Sequence, residues 1–228
     1  MREVFAATFL ALMLAGCAQQ PGPRLRGPVQ FAQNPSEILA LDIAQNRLAQ
    51  EKDAFAALEE TAAEKALIFV PEPVDAKPWL KAQAPLKNTS WQPHRVFMSC
   101  DGKTGVTTGA IKWGDVDGYY TTVWQFFQKP DGTGDWRWLL SHGDRVETRR
   151  DAPEFLQTTT ASCKGSPNIA LSAPDVGEQM RKGLSRDQSL SWTWRYRPDK
   201  SRTLVVEIWN GEAWESAFVD DVKAPEGR

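Results

Sequence analysis

The stretch from Pro93 to Val146 constrains this chain most, because its side chains alternate with a period of two over successive segments separated by glycine-bearing turns. The spacing predicts strands over Arg95–Cys100, Thr104–Trp113, Gly118–Gln128 and Trp136–Val146, turned at Asp101-Gly102, Asp115 to Gly118 and Asp131 to Gly134. In the third segment one parity carries Tyr120, Thr122, Trp124 and Phe126, and the other carries Tyr119, Thr121, Val123, Gln125 and Phe127. Both faces of such a sheet need partial cover. In the fourth segment Trp136, Trp138, Leu140, His142 and Asp144 share one parity, so an aromatic wall is expected to end in two ionisable groups.

Helix signals precede the strands. Asn34-Pro35-Ser36-Glu37 combines an N-cap, a proline at the first helical position and a glutamate placed to close a capping box. The helix that follows is expected to bury Ile38, Leu41, Ile43, Ala44 and Leu48, and to turn Asp42, Gln45, Arg47 and Gln50 mostly outward. A second helix is predicted over Asp53 to Glu64 and a short third over Asp75 to Gln83, with Trp79 and Leu80 inward. After the four strands, Asp151 to Pro174 reads as irregular and Asp175 to Leu184 as a short helix. Alternation returns in Leu190 to Arg197, Thr203 to Trp209 and Glu212 to Val219, with Asn210-Gly211 as a hairpin turn.

At the start of the chain, Val4 to Leu14 is an apolar run of signal-peptide length, too short to span a bilayer as a helix. It closes on Leu14-Ala15-Gly16-Cys17, which resembles the lipobox of bacterial lipoproteins, although Glu3 departs from a purely basic start. The resemblance implies loss of residues 1–16 and acylation of Cys17. With Ala18 next, it implies a lipid anchor in the outer membrane, facing the periplasm. Residues 17–33, with Pro21, Gly22, Pro23, Gly27 and Pro28, read as a flexible tether.

In an oxidising compartment Cys100 and Cys163 are expected to form a disulfide, with two separate buried thiols as the competing reading. The chain carries 27 Lys plus Arg against 29 Asp plus Glu, which offers no broad field for nucleic acid. His94 and His142 show no close ligand spacing with the cysteines, so no metal is expected. No Walker loop, dinucleotide fingerprint, nucleophile elbow or zincin helix occurs, so no cofactor is expected either.

The helix pair Pro35 to Glu64, the strand pair Gly105–Trp113 and Gly118–Gln128, the Asp131-Gly132 turn and Trp136 to Gly143 together resemble the nuclear transport factor 2-like superfamily, which includes ketosteroid isomerase and SnoaL-type cyclases. The resemblance implies an α+β fold over residues 34–146, with N-terminal helices packed on a strongly curved antiparallel sheet, and residues 147–228 as an irregular loop and a C-terminal β-hairpin extension. It further implies a pocket on the concave face and admits a homodimer through the convex one. No catalytic residue of that superfamily has a counterpart here.

Two sets of residues are candidates for chemistry. His142 and Asp144, two apart on a strand, point to one face and with Tyr119 or Tyr120 opposite would suit proton transfer beside a carbonyl. The bland reading places both at a strand end, with Gly143 bulging and Asp144 paired to Arg145 or Arg149 in solvent. Tyr120, Thr122, Trp124, Phe126 and Trp138 would line a pocket for a small apolar ligand, or else fill core. His94 reads as a surface residue, and Arg145, Arg149 and Arg150 as a solvated face. Three functions follow from the residues: a non-catalytic ligand- or partner-binding envelope domain, an isomerase or dehydratase using His142 and Asp144, and a structural envelope protein pairing through an exposed edge at Leu204–Trp209 or Ala213–Val219.

Overall fold

The computed structural model describes residues 34–169 and 173–225. Cys17, the apolar run and the tether lie outside them. Helix α1 (Pro35–Glu51) begins as its residues dictate, with Asn34 Oδ1 accepting from Ser36 N at 3.2 Å. The capping box does not form as expected, for Glu37 Oε1 instead accepts from Trp136 Nε1 at 2.8 Å and ties the helix start to the sheet. Asp53 caps α2 (Ala54–Thr61) by accepting from Ala56 N. The chain then passes straight into β1 (Ala62–Phe69), so the second helix ends short of the expected Glu64. β2 (Pro73–Asp75), α3 (Ala76–Lys81), β3 (Thr89–Met98), β4 (Thr104–Trp113), β5 (Val116–Gln128), β6 (Gly134–Arg145) and β7 (Gln157–Thr160) follow. The last four are β8 (Gln179–Leu184), β9 (Leu190–Tyr196), β10 (Arg202–Trp209) and β11 (Trp214–Val222).

Strands β1 to β7 form one curved sheet in the order β2-β1-β6-β5-β4-β3-β7, with β1 parallel to β6, β7 parallel to β3 and the remaining pairs antiparallel. Two bulges shape it. In β3 the register steps from Pro93 opposite Gly109 to Arg95 opposite Thr108, leaving His94 as the extra residue. Gly109 is required there, since a Cβ would sit 1.9 Å from Gln92 O. The bulge carries His94 inward to 7 % exposure, which overturns its reading as a surface residue.

The second bulge decides more. Val123 pairs with Leu140 but Trp124 pairs with Trp138, so Leu139 is extra and the alternation of β6 changes face within the strand. Trp136 and Trp138 stand with Phe126 and Trp124, while Leu140, His142 and Asp144 stand with Val123, Thr121 and Tyr119. The single wall expected from Trp136 to Asp144 is two half-walls on opposite sides of the sheet.

One face packs on the helices through Ile38, Leu80, Val96, Met98, Trp124 and Trp138. The other packs on a second sheet, the antiparallel meander β11-β10-β9-β8, where Phe97, Val106, Val123 and Leu140 meet Leu190, Trp192, Trp194, Leu204 and Val206. The expected C-terminal hairpin is thus part of a four-stranded layer, and Asp175 to Leu184, expected to be helical, contributes strand β8 to it. Leu204–Trp209 lies between two strands and is no edge, and the edge strand β11 carries a bulge at Ala217. Burying one large apolar side chain contributes roughly 1.5–3 kcal/mol. Four of them on the first sheet alone amount to a large part of a domain's net stability of about 5–15 kcal/mol. The meander is therefore a structural layer of the fold.

Loop contacts join the layers. Cys100 and Cys163 are disulfide-bonded with Cα atoms 5.2 Å apart, Cys100 N donates to Ser189 Oγ at 2.8 Å, and Asp101 N donates to Asp187 Oδ2 at 2.7 Å. Cross-linking across 63 residues constrains the unfolded chain. Replacing both cysteines by serine is expected to cost on the order of 4 kcal/mol, read as a lower urea midpoint with a steeper slope, because the uncrosslinked unfolded chain exposes more surface.

Candidate functional site

A cavity of about 740 Å³ opens where β1 leaves β6. The last β6 residue paired with β1 is Ser141, opposite Ile68, after which Val70 and Pro71 carry the chain towards β2 and both line the cavity. Beyond Ser141 the edge of β6 is open on that side, so the cavity touches both faces of the sheet. Under the helices its wall is Gln45, Phe55, Leu58, Trp79, Trp91, Tyr120 and Thr122. On the meander side it is Phe69, Tyr119, His142, Asp144, Arg202 and Lys223, with Arg145, opposite Gly118, at the end of β6.

The aromatic candidates divide. Tyr120 and Thr122 line the cavity, whereas Trp124 and Trp138 are core, with indole N–H groups donating to Thr107 Oγ1 at 3.1 Å and Leu58 O at 2.9 Å. Phe126 stacks edge-on against Trp136 near the far end of the sheet.

Behind Tyr120 lies a group that the helical pattern misplaced. α1 buries Ile38, Asp42, Gln45 and Ala49, at spacings of four, three and four residues, while Ile43 is left exposed. Asp42 Oδ1 accepts from Tyr120 Oη at 2.9 Å and its Oδ2 has no partner. Burial pushes the Asp42 carboxyl up to about 6, despite the opposing pull of Thr107, Tyr120 and Trp91. The same burial and the neighbouring carboxylate hold the Tyr120 phenol well above its ordinary range. Gln45, also expected on the outer side, donates to Thr61 Oγ1 at 2.7 Å and completes this polar patch in an apolar wall.

His142 and Asp144 share a face as expected, but their carboxylate–imidazole pairing does not occur. Asp220 of β11 stands at ion-pair distance from His142, 3.9 Å from its Nδ1. Asp220 is itself fully buried, accepting from Thr121 Oγ1 at 2.5 Å and from Arg150 Nη2 at 3.0 Å. Arg150, taken from the sequence as part of a solvated face, also lies 3.9 Å over the Tyr119 ring. The His142 imidazole has no exposed surface and neither ring nitrogen has a hydrogen-bond partner, so no solvent-reachable nitrogen faces the cavity. Burial pushes its pKa down, partly offset by Asp220. Asp144 instead lies 3.9 Å from Arg202 Nη2.

Among the described residues, no group of three or more His, Cys, Asp or Glu is placed to hold a metal ion. No family model matches the chain, and no curated protein does. It is similar to solved structures of a ketosteroid isomerase-like protein from Parabacteroides distasonis, at 16% identity over 53% of this chain and 94% of that one, TM-score 0.38. A protein of unknown function from the DUF3225 family of Pectobacterium atrosepticum matches at 15% identity over 49% and 93%, TM-score 0.35. A cystatin-like fold protein from Burkholderia xenovorans matches at 12% over 49% and 94%, TM-score 0.37. No residue role passes from these proteins to this chain.

The two buried titrating groups act in opposite directions. Asp42 has its folded pKa raised, so its contribution is present in acid and is lost as pH rises from about 3.8 to about 6. The span is worth on the order of 3 kcal/mol. His142 has its folded pKa lowered, so stability is lost as pH falls through the ordinary histidine range. Urea unfolding of Asp42→Asn should therefore show the variant gaining on the unaltered chain between pH 4 and 6.5. His142→Ala should lose on the order of 2–3 kcal/mol at neutral pH, as deletion of a buried side chain does.

Proposed function

We propose that this chain is a nuclear transport factor 2-like binding domain, held at the cell envelope through Cys17, that takes a small, mainly apolar molecule into the cavity beneath its helices. The cavity carries the reading: about 740 Å³ lies within the usual range for small-molecule sites. Its wall of Phe55, Leu58, Ile68, Trp79 and Trp91 is apolar, while Gln45 and Tyr120 supply a few fixed polar groups. Binding is favoured over catalysis by the burial of His142, whose ring a cavity ligand does not reach. The face through which related domains were expected to pair is filled by the chain's own second sheet, so a homodimer would use another surface. The Cys17 anchor rests on Leu14-Ala15-Gly16-Cys17.

Native mass spectrometry of the exported chain tests the reading directly. Extra mass that disappears on denaturation is the expected result, and it should be absent from Thr122→Trp, which fills the cavity, but present in Thr122→Val. An unliganded mass in the native spectrum, together with no binding of 1-anilinonaphthalene-8-sulfonate that Thr122→Trp abolishes, would remove the proposal.

A further inference from the structure

We propose that the molecule held in this cavity is an amphipathic anion, a long acyl chain with a carboxylate or phosphate head, whose charged end meets Arg202 between the two sheets. The inference rests on the binding reading above and names its ligand class.

Four charged residues line the cavity, Asp144, Arg145, Arg202 and Lys223, and they share one end of it. Asp144 and Arg145 end β6, Arg202 begins β10, and Lys223 follows Val222, the register partner of Arg202. Three cations against one carboxylate make that end positive, although the whole chain carries a net charge of -2. Apart from Arg145 at the strand end, the lining residues under the helices are uncharged.

Arg202 is the telling member of the set. It is 6 % exposed, and its Nη2 donates to Gly143 O at 2.7 Å on the open edge of β6. A guanidinium this deep is costly unless its donors are met by anionic or polar acceptors. Its compensation is incomplete. Nε has no partner, and the Asp144 carboxylate stands 3.9 Å away with its side chain 41 % exposed. Asp144 Oδ1 is already occupied by Arg145 N at 2.8 Å. Burial holds the Arg202 pKa below its usual range, as expected of a cation short of counter-charge. An entering anion would supply the missing counter-charge to the guanidinium, and an apolar chain attached to it would lie against Phe55, Leu58 and Trp79. A cationic ligand would face three positive groups, and a neutral one would leave the Arg202 guanidinium with Asp144 as its one carboxylate neighbour.

The test is a fluorescence titration of the delipidated chain with cis-parinaric acid and with its methyl ester, which differ in the charged head alone. The acid should bind about tenfold tighter, the increment of a charge-assisted hydrogen bond. Arg202→Met should erase that preference, bringing the acid to the affinity of the ester. Because Arg202 also holds the Gly143 carbonyl, the double variant Arg145→Ser, Lys223→Ser provides a second arm, in which the preference should fall several-fold. Displacement of the probe by oleate or by oleoyl lysophosphatidate distinguishes a carboxylate head from a phosphate head. Equal affinity for acid and ester would overturn the anionic ligand and leave the cavity reading standing, while binding of neither would overturn both. A preference for the acid that survived in both variants would remove the head from the Arg202 end and with it the proposal.

Discussion

One extra residue in β6, Leu139, sets the arrangement on which the molecule depends. A strand with strict alternation would send Trp138 and Leu140 to the same side. The bulge separates them, so that the indole of Trp138 joins the helix-facing core while Leu140 joins the core shared with the meander. The central sheet is thereby apolar on both faces, and each face requires its own cover. The helices supply one and β8 to β11 supply the other.

From that layering follows the place of the cavity. β1 covers β6 only as far as Ser141, and the remaining edge reaches past the helix layer to the seam where the meander begins. Apolar side chains come from one layer and charged ones from the junction of the other two. A cavity confined to the space beneath the helices would have had Tyr120, Gln45 and Thr122 among its polar groups and neither Arg202 nor Lys223.

Much of this was legible in local pattern. β4 runs from Thr104 to Trp113 as alternation and turn residues indicate, and Asn34 and Asp53 start helices as their side-chain chemistry requires. The failures share a cause, namely that the deciding partner is distant in sequence. Asp42 is buried because Tyr120, 78 residues on, donates to it, and a helical wheel alone assigns a carboxylate to the solvent side. Asp220 displaces Asp144 as the neighbour of His142 through a layer that begins long after the strand ends; its bond to Thr121 spans 99 residues. A bulge, likewise, is invisible to a count of alternate residues, because Leu139 is a good strand residue on either face. Arg202 stands one residue before the alternating segment that begins at Thr203, where a lone arginine after a turn gives no local sign of burial.

The second sheet also changes the order of the folding reaction. An apolar outer face left bare would be covered by association, and the folded population would then rise with protein concentration by mass action. Here Leu190, Trp192, Trp194 and Leu204 cover it from within the same chain. Burial of that face is therefore a unimolecular step, completed by residues of one polypeptide rather than by an encounter between two.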